Sequence, residues 1–193
     1  MNLFRPISIS LSPNTERDDL SLSKKIIFRP WLWKKGGKIQ ELEEEFKNFF
    51  NAKYAISFNS GRSSLLAILK SLNLNENDEI LLQAFTCNAT VNPILWAELK
   101  PVFIDVDEKT FNLDVEDLKK KIAPQSKAVL VQNTFGLPAE MDEILEVCQK
   151  NSLILIEDCA HSLGAEYKGK KIGKFGLISF FSFSRDKVIS SVY

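Results

Sequence analysis

The sequence has no surplus of charge. Its 25 lysines and arginines balance 25 aspartates and glutamates, for a formal net charge of zero over 193 residues. A nucleic-acid binder needs a basic excess to neutralise phosphates, so nucleic acid is not expected as a partner. Cysteine is scarce. Cys87, Cys148 and Cys159 lie far apart and form no Cys-x-x-Cys pair. That argues against a disulfide framework or a metal site and fits a reducing cytoplasm. Long apolar runs are missing as well: none approaches the roughly 20 residues that cross a bilayer. The start, Met1-Asn2-Leu3-Phe4-Arg5-Pro6, has no charged region followed by an apolar stretch, so no signal peptide and no membrane partner are expected. Histidine occurs once, as His161. No G-x-G-x-x-G follows the first strand, which counts against a nucleotide-binding doubly wound domain.

Apolar residues make up 45% and charged residues 26%, the balance of ordinary globular material. The length suits one sizeable α/β domain, or a large domain missing its partner. Residues 1–36 read as an irregular N-terminal arm carrying Pro6, Pro13 and Pro30, closed by Gly36-Gly37. The aromatic and basic stretch from Ile26 to Lys35 reads as part of that arm, packed on the body or on a second subunit. A membrane-surface helix is disfavoured because Pro30 interrupts it. Residues 37–193 read as one large domain.

Ile39, Leu42, Phe46 and Phe49 recur at helical spacing between glutamates, which predicts an amphipathic helix. The chain then alternates. Strands are expected at Tyr54–Phe58, Glu79–Gln83, Pro101–Ile104, Ala128–Gln132, Leu153–Glu157 and Leu177–Phe183. Helices are expected at Ser63–Leu72, Ala89–Glu98, Val115–Ile122 and Glu140–Lys150. Runs such as Leu153-Ile154-Leu155-Ile156 are apolar on both faces, as in a sheet covered by helices on both sides. The alternation implies a mainly parallel α/β sheet. Ligands bind such sheets beyond the carboxyl ends of the strands.

Three stretches on that rim carry chemistry. Asn59-Ser60-Gly61-Arg62-Ser63-Ser64 follows a strand and opens a helix, where free amides and a glycine make a phosphate site or, equally, a plain helix cap. Asp158 ends a buried strand and needs a partner, either a helix start or a protonated ring nitrogen. His161 follows three residues later. Phe180-Phe181-Ser182-Phe183-Ser184-Arg185-Asp186-Lys187 delivers a serine and then a lysine to the same rim. A lysine near a buried edge can lose its proton and attack an aldehyde, although most lysines are simply exposed. A phosphate cradle, an acid for a pyridinium and a lysine for an aldehyde together match what pyridoxal phosphate requires.

These residues resemble the DegT/DnrJ/EryC1/StrS aminotransferases, fold-type I pyridoxal-phosphate enzymes that act on nucleotide-linked keto-sugars. The resemblance runs from about Gly37 to the end. It includes Asn59-Ser60-Gly61-Arg62-Ser63-Ser64-Leu65, Pro101-Val102-Phe103-Ile104-Asp105-Val106-Asp107, Gly136-Leu137-Pro138-Ala139-Glu140-Met141 and Glu157-Asp158-Cys159-Ala160-His161-Ser162-Leu163-Gly164-Ala165. Phe181-Ser182-Phe183 with Lys187 completes it. The resemblance implies that Lys187 bonds the cofactor and moves protons, Asp158 pairs with the pyridine nitrogen, and His161 lies near the ring. Gly61, Arg62, Ser63 and Ser182 would hold the phosphate. Cys87 stands where the family usually places an aromatic that stacks on the ring. Arg62 replaces a usual threonine, and Leu177 a common aspartate.

The implied reaction is transamination of a nucleotide-linked keto-sugar by a donor such as glutamate, for polysaccharide or amino-sugar synthesis, in a homodimer. The chain ends six residues after Lys187, where family members continue into further strands and a small C-terminal domain. The large domain is therefore expected to be truncated. The alternatives are an inactive remnant or partner-binding module of the same fold, or a sugar dehydratase, in which histidine commonly replaces the lysine.

Overall fold

The computed structural model describes residues 17–32, 37–184 and 187–189. Pro6, Pro13, Gly36, Arg185 and Asp186 lie outside the described residues. The described chain falls into two units, one drawn from residues up to Ser57 and from Phe183 onward, the other Phe58–Ser182.

In the first unit, α1 spans Arg17–Ile27 and α2 spans Lys38–Phe50. The helix α1 corrects the expectation of an irregular arm. Leu20, Leu22, Lys24 and Lys25 favour a helix, Asp18 lies in the first turn and the two lysines in the last, as the helix dipole prefers, and Pro30 lies beyond the end. In α2, Phe46 packs on Phe50 at 5.5 Å and edge-on to Phe183 at 5.5 Å. The expected apolar stripe is present, yet Ile39, Leu42 and Phe49 remain exposed. Residues 54–58 form no strand. Tyr54 and Ile56 are exposed, and the Ser57 amide and hydroxyl instead donate to the Glu43 carboxylate at 2.8 and 2.7 Å. Those two bonds hold the Glu43 carboxyl below its ordinary range, the backbone donor contributing most. A β-rich stretch with no neighbouring strand takes its hydrogen bonds where it finds them.

The second unit carries α3 (Gly61–Ser71), β1 (Glu79–Gln83), α4 (Asn88–Trp96), β2 (Lys100–Ile104), α5 (Val115–Lys121), β3 (Ser126–Gln132), α6 (Met141–Lys150) and β4 (Ile154–Asp158). A small antiparallel pair follows, β5 (Glu166–Tyr167) with β6 (Lys170–Lys171), and then β7 (Ile178–Phe180). Five strands form one sheet in the order β2-β1-β3-β4-β7, all parallel. The α/β class with a mainly parallel sheet is as the sequence implies.

Side chains alternate across each strand, so the sheet has two cores. Leu81, Val129, Val131 and Leu155 pack with Leu118 of α5 and Met141, Ile144 and Val147 of α6. Ile80, Leu82, Ala128, Leu130 and Ile156 pack on the other side with Leu65, Ile68 and Leu69 of α3 and Ile94 of α4. Burying both faces explains why β1 and β3 read as continuous apolar runs. The sheet's outer strands differ. β2 carries Lys100 and Pro101 and is only partly buried, whereas β7 presents Ile178-Ser179-Phe180. Because β2 and β3 lie on opposite sides of β1, the order in which strands join the sheet switches sides between β1 and β3. The crevice at their carboxyl ends is where such sheets hold ligands.

Candidate functional site

The three central strands of the sheet each end in a polar residue at the same rim. β1 ends in Gln83, β3 in Gln132 and β4 in Asp158. Asp158 is 5% exposed, so its carboxylate must be held by donors. Its Oδ2 accepts from Gln132 Nε2 at 2.8 Å and from the Thr90 hydroxyl at 3.4 Å, and its Oδ1 accepts from the Ala160 amide at 3.0 Å. Donors from β3, from α4 and from the turn after β4 thus fix one carboxylate. Thr90 sits in the first turn of α4, behind Cys87, whose thiol lies 3.8 Å from the Thr90 hydroxyl at the helix cap.

The second feature is the start of α3. Ser60 caps it, its hydroxyl accepting the Ser63 amide at 3.2 Å and lying 2.9 Å from the Ser63 hydroxyl. The cap takes the Ser63 amide, and the first-turn amides of Gly61 and Arg62 have no intrahelical acceptor, as at any helix start. Arg62 is exposed. A Cβ built on Gly61 would stand 4.0 Å from the Ser182 Cβ. The helix start and the serine beyond β7 therefore face one another. The rim brings Asp158 close to that pair, because Asp158 lies opposite Phe180 in the sheet and the Cys159 amide donates to the Phe180 carbonyl at 2.9 Å.

These groups fit a phosphorylated pyridine. A glycine-led helix start with a facing hydroxyl suits a phosphate, and a buried aspartate suits a cationic ring nitrogen. Gln132 Oε1, Asn133 Nδ2 and Thr86 Oγ1, all buried near the carboxyl ends of β1 and β3, have no partner among the described residues and can serve a bound polar molecule. A shallow concavity lined by Ile122, Pro124, Ser126, Lys127, Asn151 and Ser152 lies at the amino ends of β3 and β4, on the far rim. It takes no part in this site. Among the described residues, no group of three or more His, Cys, Asp or Glu side chains is arranged to hold a metal ion, and no helix is long and apolar enough to cross a membrane.

Residues 14–192 match the model of the DegT/DnrJ/EryC1/StrS aminotransferase family. The chain belongs to that family. It is 36% identical to the GDP-perosamine synthase of Escherichia coli over 83% of its own length and 44% of the relative's. It resembles the solved structure of Escherichia coli GDP-4-keto-6-deoxy-D-mannose-3-dehydratase with bound hydrated pyridoxal phosphate, with TM-score 0.87 and 29% identity over 97% of this chain and 50% of that one. It also resembles Helicobacter pylori PseC, an aminotransferase of pseudoaminic acid biosynthesis, with TM-score 0.83 and 29% identity over 93% and 48%. The DegT/DnrJ/EryC1/StrS chain thus spans less than half the length of the curated relatives it matches. The family uses pyridoxal phosphate.

Of the residues picked out in the sequence of this DegT/DnrJ/EryC1/StrS chain, Gly61, Arg62, Ser63, Cys87, Asp158, His161 and Ser182 all belong to the second unit. Lys187 belongs to the first. It is partly buried, and its amide donates to the Ser184 carbonyl at 3.0 Å. His161 is exposed and its ring stacks on Phe135 at 5.9 Å, 9° from parallel. Cys159, next to Asp158, is buried. Burial pushes its thiol well above the ordinary value, and the Glu157 and Asp158 charges add to that, so it is no nucleophile.

Sequence reasoning missed three polar residues. Gln132 and Thr90 orient Asp158, and the signal for Gln132 was a lone polar residue closing an apolar strand. Glu157 is fully buried. Its Oε1 accepts the amides of Phe175 and Gly176 at 2.7 and 2.6 Å, and its Oε2 accepts that of Gly173 at 2.8 Å. It bolts down the turn that leads into β7. Gly176 sits so close to β4 that an added Cβ would stand 2.6 Å from the Leu155 carbonyl oxygen, which no side chain tolerates.

Proposed function

We propose that the protein uses pyridoxal phosphate to transfer an amino group from a donor such as glutamate to a nucleotide-linked keto-sugar, and that residues 37–193 are its cofactor-binding part. The observation that carries this reading is the fixed Asp158 carboxylate beside the Gly61–Ser182 cradle on the carboxyl rim. The names of the relatives support the substrate class, since GDP-perosamine synthase and a UDP-sugar aminotransferase are among them.

When bound, the cofactor supplies an aldehyde that condenses with amines and a ring that takes up electrons. The chain's residues do the rest. Gly61, Arg62, Ser63 and Ser182 hold the phosphate through amides, hydroxyls and one cation. Asp158 keeps a proton on the ring nitrogen, and Gln132 and Thr90 keep Asp158 in place. His161 and Cys87 border the ring. Lys187 provides the amine that bonds the cofactor and then carries a proton to and from the reacting carbon. Its presence favours transamination over sugar dehydration. A second copy of the protein completes the assembly, in the cytoplasm.

The test is spectroscopic. The purified chain mixed with pyridoxal phosphate develops the visible absorption of a lysine-bound cofactor, and glutamate then bleaches it. A spectrum that stays that of the free cofactor overturns the reading.

A further inference from the structure

Three phenylalanines stand at the crevice between β1 and β3. Phe85 follows β1, Phe135 follows β3, and Phe111 comes from the loop between β2 and α5. The rings of Phe85 and Phe111 are 5.3 Å apart, and those of Phe85 and Phe135 are 6.2 Å apart. Phe135 in turn stacks on His161, so the aromatic row runs toward the end of β4. All three phenylalanines are exposed, Phe135 by 75%. Chance exposure of one such ring needs no explanation, but a contiguous row does.

The backbone beneath is built to hold the row outward. Phe111 has φ 56° and Phe135 has φ 53°, a left-handed conformation that a bulky side chain rarely adopts. Gln83, buried at the end of β1, donates from Nε2 to the carbonyls of Phe85 at 3.2 Å and Phe111 at 3.1 Å and to the Thr134 hydroxyl at 2.9 Å. The Thr134 hydroxyl itself donates to the Phe111 carbonyl at 3.0 Å. Asn112 accepts the Thr134 amide at 2.8 Å and donates to the Leu137 carbonyl at 2.9 Å. One buried amide and its neighbours therefore hold the backbone under all three rings. Strained conformations that persist under such restraint cluster at ligand sites. Rigid, outward-facing rings at the switch point of a parallel sheet form a surface suited to a flat aromatic ligand.

We propose that Phe85, Phe111 and Phe135 form a stacking shelf for the base of the nucleotide-linked sugar. The choice of ligand rests on the substrate class proposed above. Such a substrate carries a planar heteroaromatic base, which must be held outside the reacting centre. Stacking is tolerant of base identity, since every base has a π face. The shelf therefore supplies affinity for a nucleoside diphosphate without dictating which one.

The test titrates the unsubstituted chain by calorimetry with GDP, with UDP, and with inorganic pyrophosphate as the base-free control. Both nucleoside diphosphates are expected to bind at least about tenfold more tightly than pyrophosphate. Phe135→Leu and Phe85→Leu are each expected to remove about tenfold of that affinity and leave pyrophosphate binding unchanged, because leucine keeps apolar area but has no π face. Phe85 has an ordinary backbone conformation, so its variant remains informative should Phe135→Leu fold poorly. Nucleotide affinity unchanged in the variants overturns the proposal, as does a chain that prefers neither diphosphate to pyrophosphate. It also falls if sedimentation finds a dimer that the variants break while nucleotide affinity holds, since a second copy then covers the rings. The visible cofactor band is read separately on the unsubstituted chain, so failure of the shelf and failure of the aminotransferase reading are told apart.

Discussion

Lys187→Ala removes the visible band that pyridoxal phosphate is expected to produce with the chain, and abolishes any transamination. An amine can attack an aldehyde only in its neutral form. Three exposed lysines are poor candidates on that ground. Lys119 is held protonated by its hydrogen bond to Glu116, Lys168 by Asp142 and Lys38 by Glu41, each raised above its ordinary value by that partner. All three are exposed ion pairs on the surface. Lys187 follows the strand that runs beside Asp158, five residues past the cradle serine. Lys168→Ala, as the control, is expected to keep the band. A band that survives in Lys187→Ala removes that lysine from the mechanism.

Glu157→Ala is expected to destabilise the chain by upwards of roughly 3 kcal/mol, measured by urea unfolding. Three partly buried amides lose their acceptor together, at about 1–3 kcal/mol for each group left unsatisfied. Glu157→Gln separates shape from charge. Its carbonyl oxygen can still serve Phe175 and Gly176, but its amide nitrogen faces the Gly173 donor, so the loss is smaller, about 1–3 kcal/mol. The two proteins also differ with pH. Burial pushes the Glu157 carboxyl above its ordinary value of 4.5, while the Gly176, Gly173 and Phe175 amides pull it partly back. A folded-state value above the unfolded one means that the unfolded chain loses its proton first as pH rises. The wild-type advantage over Glu157→Gln is therefore greatest below about pH 4.5 and shrinks as pH climbs through the folded-state value. An advantage that grows with pH across that window would show that the amides outweigh burial.

Much of the sheet was legible because its strands are buried on both faces. Leu81 and Val129 serve one core while Leu82 and Leu130 serve the other, the pattern a doubly covered parallel strand asks for. Glu79–Gln83 could be placed to the residue. The Tyr54–Phe58 stretch misled because its composition favours a strand but no partner strand adjoins it, and the Glu43 carboxylate takes its amide. The α1 helix was obscured because Ser21, Ser23, Ile26 and Ile27 lower its helix propensity and Pro30 follows closely. At the site, Asp158 announced itself as a charge closing an apolar run. Gln132 and Gln83 close apolar runs in the same way, yet their roles depend on which strands lie adjacent, and the order β2-β1-β3-β4-β7 is not written in local periodicity. Glu157 was invisible for a related reason: its partners lie 16 to 19 residues away, in a turn whose shape only the folded chain defines.

Among the described residues, no further strand lies beside β2 or beside β7, and the two outer strands differ in what they would offer one. Along β2, a lysine and a proline discourage any further strand from adding on. Along β7 the outward hydrogen-bonding groups of Ile178-Ser179-Phe180 have no such gatekeeper. A strand laid alongside would therefore pair more readily at β7 than at β2.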